Sequence, residues 1–332
     1  MIQNISYYIT KNTNPYENLA LEEYLLLNVQ PGQCILYLWQ NRHTVVIGRN
    51  QNAWAECRVR ELEENGGHLV RRLSGGGAVY HDLGNLNFTF LVRRADYDVD
   101  RQLRVIQEAV RAFGLDAQKT GRNDVTVEGR KFSGNAFYRS GDCCYHHGTL
   151  LVDVDTQQMS RFLQVSKEKL ASKGVASVRA RVVNLKELNP EITIESLSQR
   201  LLESFGQVYG LTPEPIIRDS LDWATIQQRN AFFASQEWKL GANASFQDQA
   251  KARFPWGGVE LQFGVQNGIL SQLVLYSDGL EADFLAQLPE QLLGCLFDPA
   301  ALDARAEAIP TETSSQRAIV QDCVALLKSQ IE

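Results

Sequence analysis

No apolar stretch in the 332 residues is long enough to cross a bilayer. The opening MIQNISYYIT has no basic region followed by an apolar one, so a secretory signal is not expected. Six cysteines are scattered without a framework or a Cys-x-x-Cys pair, which predicts reduced thiols and a cytoplasmic protein. Positive charge is in short supply: 33 Lys and Arg against 39 Asp and Glu leave a net charge of −6. That balance argues against broad nucleic-acid binding, and nothing points to a membrane partner. Internal repeats and low-complexity segments are absent. So are a Gly-Lys-Ser/Thr phosphate loop and a Gly-x-Gly-x-x-Gly dinucleotide fingerprint. What remains is 44% hydrophobic and 22% charged, the composition of a globular protein long enough for two domains.

The most informative stretch is 69–92, LVRRLSGGGAVYHDLGNLNFTFLV. A short strand through Val70 ends at Ser74-Gly75-Gly76-Gly77, because glycine weakens strands and favours bends or close backbone approach. Extended structure resumes at Ala78-Val79-Tyr80, Asp82 to Asn85 reads as a turn, and Leu86, Phe88, Phe90 and Val92 alternate as in a half-buried strand. Three glycines leave backbone N–H groups open to an anion, and Arg71 and Arg72 bring planar donors suited to phosphate or carboxylate. A plain glycine-rich bend with solvated arginines is the competing reading.

Asn14-Pro15 starts a helix that runs to Asn28, with Glu17 placed to return a capping bond. A single helix is expected over 52–64. A hairpin is expected at 125–133, with Arg130 and Lys131 on opposite faces, one solvated and one free to face a site. The run GDCCYHHGTLLVDVD (141–155) puts two cysteines and two histidines close together. Neighbouring residues on a strand point opposite ways and structural zinc ligands are spaced by two to four residues, so no metal site is expected, only a strand from Gly148. Segment 166–185 carries Lys167, Lys169, Lys173, Arg179 and Arg181 against Glu168, either a solvated face or a loop that closes on a polyphosphate. Thr193 caps a helix to Tyr209. Beyond residue 256, alternation around Asn267-Gly268 predicts a hairpin, followed by two amphipathic helices near 283–293 and 315–329. Domain boundaries are therefore expected at 1–244 and 245–332.

Three stretches, RRLSGGGAVYHD with LGNLNFTF, GRNDVTVEGRKFSGNAFY with HHGTLLVDVD, and KLASKGVASVRARVVNL, occur in this order in lipoate–protein ligases, and WGGVELQF resembles the start of their accessory domain. The chain therefore resembles that family, within the biotin/lipoate ligase superfamily, over nearly its whole length. The resemblance implies an α+β fold: a mixed, largely antiparallel sheet flanked by helices, similar to biotin ligases and class II synthetases, with a small C-terminal α+β domain. It implies two steps. Lipoate and Mg·ATP give lipoyl-adenylate and pyrophosphate, and the lipoyl group then passes to a specific lysine of a lipoyl domain. Acceptors of that kind are 2-oxoacid dehydrogenase acyltransferase subunits and glycine cleavage H protein. Arg72 matches a nucleotide-contacting arginine, and Gly77, Ala78, Val79 and Tyr80 a backbone segment against nucleotide and lipoyl chain. Lys131 matches the essential lysine, and Asn123 and Asp124 the segment near phosphate and metal, with Asp124 the Mg²⁺ candidate. His147 and Gly148 lie in the matching pocket segment. Residues 167–183 match a loop that orders over the adenylate. Leu73 stands where some members carry serine, with the glycine turn intact.

A carboxylate attacking a phosphate brings anion to anion, so cations must already be in place. The rival activity is octanoyl or lipoyl transfer through a cysteine thioester, for which Cys143 and Cys144 are the nearby candidates. A binding protein without catalysis is the rival of another class; it does not need Lys131.

Overall fold

The computed structural model describes residues 1–120, 124–164, 182–241 and 248–331. The chain divides into two compact units, one of Met1–Val46, Ala55–Arg71 and Val79–Lys239, the other of Ile47–Trp54, Arg72–Ala78 and Leu240–Glu332.

The first unit contains β1 (Asn4–Ile9), β2 (Gln33–Trp39), β3 (Thr44–Ile47), β4 (His68–Arg71), β5 (Val79–His81), β6 (Asn85–Arg93), β7 (Ala117–Thr120), β8 (Asp124–Val127), β9 (Arg130–Ser140), β10 (Cys143–Leu151) and β11 (Pro213–Pro215). Eight of them form one sheet in the order β11-β1-β2-β6-β10-β9-β8-β7, and β4-β3-β5 form a second, smaller one. In the large sheet β1 runs parallel to β2 and β11, whereas every pairing from β2 to β7 is antiparallel. The expected mixed, largely antiparallel α+β architecture is therefore present.

Alternation assigns the two faces. Leu86, Phe88, Phe90 and Val92 join Leu36, Leu38, Cys144 and Leu150 in the main core beneath the helices Val99–Arg111 and Ile194–Tyr209. The second face of β6 was expected to meet water. Instead Asn85 to Val92 are all buried, because the helix Pro15–Asn28 lies across β2, β6 and β10 on that side. Asn14 caps this helix by accepting from the N–H groups of Tyr16 and Glu17. Glu17 does not return the bond; it accepts from the side chains of Asn12 and Gln227.

Other boundaries moved as well. The expected helix over 52–64 is two short ones, Ala53–Glu56 and Val59–Glu64, interrupted where Cys57 bridges Leu163. The strand expected from Gly148 begins at Cys143, since Cys143 to Leu151 pair continuously with β6.

In the second unit, β12 (Asp248–Phe254), β13 (Gly257–Gln266) and β14 (Ile269–Ser277) form an antiparallel sheet. Asn267 and Gly268 both have positive φ, as the hairpin turn requires. Helices Ala282–Leu292, Pro299–Ala308 and Ser314–Lys328 close its core.

His146 illustrates the cost of the buried polar groups in the first unit. It is fully buried among Phe88, Phe90 and Phe137. Its Nε2 is 2.8 Å from Asn135 Oδ1 and its Nδ1 is 3.1 Å from the Gln102 amide. Neutral imidazole has one donor and one acceptor, so it is satisfied when Gln102 presents its nitrogen, which also gives that buried amide nitrogen a partner. Burial first, then the charges of His147 and Lys119, push the His146 pKa down to about 3. The folded protein thus refuses a proton that the unfolded chain accepts below about pH 6.5. The associated stability is complete above that value and is lost as pH falls toward 3. From one such proton we expect a loss of about 2 kcal/mol between about pH 7.5 and 5. Urea unfolding across this range should show a shallower pH dependence in His146→Gln, and an unchanged slope would refute the assignment.

Candidate functional site

The sheet face beneath the helix Pro15–Asn28 carries polar residues in rows, set by strand register. Trp39 on β2 stands opposite Asn87 on β6, and Asn87 opposite Thr149 on β10. Thr149 Oγ1 accepts from the N–H of Gly134 on β9, at 3.3 Å, and Gly134 stands opposite Asp124 on β8. One residue pair further along, Tyr37, Thr89, His147 and Ala136 form the next row.

The helix adds Asn18 and Glu22, four residues apart and therefore on one side. Glu22 is 2% exposed and its Oε1 receives two contacts, Thr89 Oγ1 at 2.6 Å and His147 Nδ1 at 2.8 Å. Thr89 Oγ1 in turn accepts from Trp39 Nε1–H at 3.1 Å. A carboxylate that accepts from His147 assigns its proton to Nδ1 and fixes the ring plane. Asn18 is tied to Tyr37 and Asn41, and Asn41 to His81. The result is a buried polar wall held by two helix residues that the sequence reading did not single out. The i, i+4 placement of Asn18 and Glu22 within an otherwise apolar run was the available signal.

Lys131 stands at one end of the first row. Its Nζ is 2.6 Å from Asp124 Oδ1, and the two side chains are 36% and 38% exposed. The lysine lies across Gly134, where an added Cβ would come within 2.9 Å of Nζ. Gly134 is thus a residue the site needs for room, also missed in the sequence. The backbone of Lys131 is held by the chain emerging after residue 181: Val183 N–H donates to its carbonyl at 2.9 Å. Arg130 approaches Glu128 instead of Asp124. Asn123 and residues 167–181 lie outside the described residues.

His147 faces this wall, whereas its neighbour Gly148 faces the core. A Cβ on Gly148 would meet the Gly134 carbonyl at 2.6 Å and the Phe88 ring at 2.8 Å. Val79 and Tyr80 lie on β5, the edge strand of the small sheet, paired on one side to Val46 and Val45. The Tyr80 ring turns away into a cluster with His43 and Phe162, its hydroxyl 2.9 Å from His43 Nδ1. Burial first, then Asp82 and Asp155, pushes that phenol up to about 12. What β5 offers a ligand is its backbone.

The glycine turn belongs to the second unit. Arg72, 6% exposed, does not project from it as a solvated cation. It donates to Ser74 Oγ at 3.0 Å, to the Gly75 carbonyl at 2.7 Å and to the Gly77 carbonyl at 2.8 Å. The expected open row of N–H groups is also only partly present, because Gly76 N–H donates to the Gly279 carbonyl at 3.2 Å. A Cβ on Gly75 would collide with that same carbonyl, which explains glycine there. Gly77 has open space around it, and Gly77 and Ala78 are half-exposed. Arg49 pairs with Asp283 and Asn50 donates to the Ala282 carbonyl, holding segment 47–54 in this unit.

Cys143 and Cys144 begin β10, six and five residues from Thr149, about 16–20 Å away at strand rise. Both are buried, and the Cys144 thiol is pushed up mainly by that burial. Among the described residues no group of three or more His, Cys, Asp or Glu could hold a metal ion.

Residues 14–206 match the family described as lipoyl protein ligase A/B catalytic domain, and 243–327 match the bacterial lipoate protein ligase C-terminus. Lipoate-protein ligase A of Psychrobacter cryohalolentis is 37% identical over 330 residues, covering 96% of this chain and 97% of its own. Among solved structures, P. falciparum LipL1 in complex with lipoate is 28% identical with a TM-score of 0.86, over 98% of this chain and 100% of its own. A bipartite lipoate protein ligase from Thermoplasma acidophilum, described with its E2 lipoyl domain, is 26% identical with a TM-score of 0.65, over 75% and 100%. A lipoate-protein ligase A bound with ATP is 27% identical with a TM-score of 0.61, over 73% and 99%.

Proposed function

We propose, from the premise that this chain belongs to the lipoate–protein ligase family, that it activates lipoate with ATP and transfers the lipoyl group to a lysine of a lipoyl domain. In the first step a lipoate carboxylate oxygen attacks the α-phosphorus. The new C(O)–O–P bond forms, the bond to the bridging oxygen breaks, and pyrophosphate leaves. In the second step an acceptor lysine ε-amine attacks the acyl carbon, AMP leaves and the amine loses its proton.

The observation that carries this reading is the cation at the end of a buried polar wall. Lys131 supplies fixed charge where the two anions must meet, held on one side by Asp124 and given room by Gly134. His147, set by Glu22, and the edge backbone at Val79 and Tyr80 line the acyl and nucleotide sides. Gly77, Ala78 and Arg72 keep the nucleotide roles that the family resemblance implies, and within the second unit Arg72 braces its own turn. Asn123 and Gly148 complete the proposed set, Gly148 through packing. Mg²⁺ enters as part of the substrate Mg·ATP. Asp124, beside Lys131, is the carboxylate that would help hold it, and the ion would supply positive charge at the phosphates. Residues 1–244 serve as the catalytic domain and 245–332 as the accessory domain. Acyltransferase subunits of 2-oxoacid dehydrogenases and glycine cleavage H protein are the acceptor class, with no nucleic acid or membrane partner. Six unbridged cysteines support a cytoplasmic setting.

Mass spectrometry of a lipoyl domain incubated with the protein, lipoate and Mg·ATP should show addition of one lipoyl group, and none when ATP is omitted. Serine at both Cys143 and Cys144 should leave that product unchanged. Modification without ATP, or its loss in the double serine variant, would favour the thioester transferase instead.

A further inference from the structure

We infer that Asn87 contacts the substrate directly, its side-chain amide donating a hydrogen bond to the lipoate carboxylate and, after activation, to the acyl carbonyl oxygen. This rests on the lipoate-activating reading above. Asn87 is 1% exposed. Its Oδ1 accepts from Asn85 Nδ2 at 2.9 Å, and Asn85 Oδ1 is also buried without a partner, so the pair leaves one donor and one acceptor open. The open donor is Asn87 Nδ2, buried with no hydrogen-bond partner. An amide donor left unmet inside a protein costs about 1–3 kcal/mol, and such groups are rare in native folds. In the wall of a binding pocket a bound ligand can supply the missing acceptor.

Register says which partner. Asn87 lies between Trp39 and Thr149, and Thr149 lies beside Gly134, over which Lys131 extends. Two strand spacings separate Asn87 from Gly134, about 10 Å between backbones. Both groups stand on the same face of the sheet, so one carboxylate reaches both donors only if the two side chains lean toward each other over Thr149. The geometry also suits both steps. A carboxylate needs donors on both oxygens to be held for in-line attack, and the adenylate carbonyl gathers negative charge when the acceptor amine attacks. No bond is made or broken at Asn87; it supplies a neutral donor where a second cation would over-stabilise the nucleophile. An acceptor at the same place would repel the substrate.

The test is steady-state pyrophosphate release by the full chain with lipoate and Mg·ATP. Asn87→Ala should raise the lipoate KM about 10- to 100-fold, the effect of losing one bond to a charged group, with the ATP KM within twofold. Asn87→Asp should be worse than alanine near about pH 8 and recover several-fold relative to wild type near about pH 6, because burial raises the new carboxyl so that it takes up a proton there and becomes a donor. A merely structural asparagine would lower the melting midpoint without that pH signature. Should the aspartate variant not fold, the KM split in Asn87→Ala decides alone. Lipoate KM values within twofold of wild type would overturn the inference while leaving the ligase reading intact. No release by the wild-type protein would sink both.

Discussion

Replacing Lys131 with alanine is expected to lower lipoate-dependent pyrophosphate release about 10²- to 10³-fold, the range for removing one preorganised donor from a developing charge. The fold should survive. Lys131 is more than a third exposed and its partner Asp124 is equally so, which lets water take the place of the lost ammonium. Thermal unfolding should therefore agree with wild type to within about 0.5 kcal/mol. Lys131→Arg separates charge from shape. Guanidinium keeps the charge, yet the longer planar head has to cross Gly134 in the space a compact ammonium fills. Activity between that of wild type and alanine is the expected result. Near-normal turnover in the alanine variant would remove Lys131 from the chemistry altogether.

Gly148→Ala should do the reverse, costing stability first. The new methyl would press on the Gly134 carbonyl and on Phe88, a fully buried ring between β2 and β10 in the main core. Neither neighbour yields easily. One is backbone in a sheet, the other is packed against Phe90 and His146. Overpacking of this kind costs about 1–3 kcal/mol. At about 2–4 °C per kcal/mol the melting midpoint should drop by roughly 2–12 °C. Any shift forced on the Gly134 backbone also moves Lys131, which rests on it, so kcat should fall as well. A raised lipoate KM with an unchanged melting midpoint would instead place Gly148 against the substrate.

Several elements were plain in the residues. Asn14-Pro15 and Thr193 start their helices as expected, and Asn267-Gly268 turns its hairpin, since each acts through its own backbone within four residues. The 125–133 hairpin formed at Glu128-Gly129, both at positive φ. The helix Pro299–Ala308 was overlooked, although Asp298 and Pro299 announce it: the apolar face behind them is narrow. The break at Cys57 could not be read locally, because it depends on a bridge to Leu163, more than a hundred residues away.

The residues alone determined which family motifs are present, several of the turns, and that Lys131 belongs to a short hairpin. These follow from local backbone preferences and short-range order. Tertiary structure decided which side of each strand matters. Only the helix laid over β2, β6 and β10 turns Asn87 and Thr89 from a solvated face into a buried wall, and only packing shows that Arg72 braces its own turn while Gly148 makes room for Phe88. Burial is set by what covers a surface, and the covering segment is distant in sequence, so no window on the strand itself contains that information.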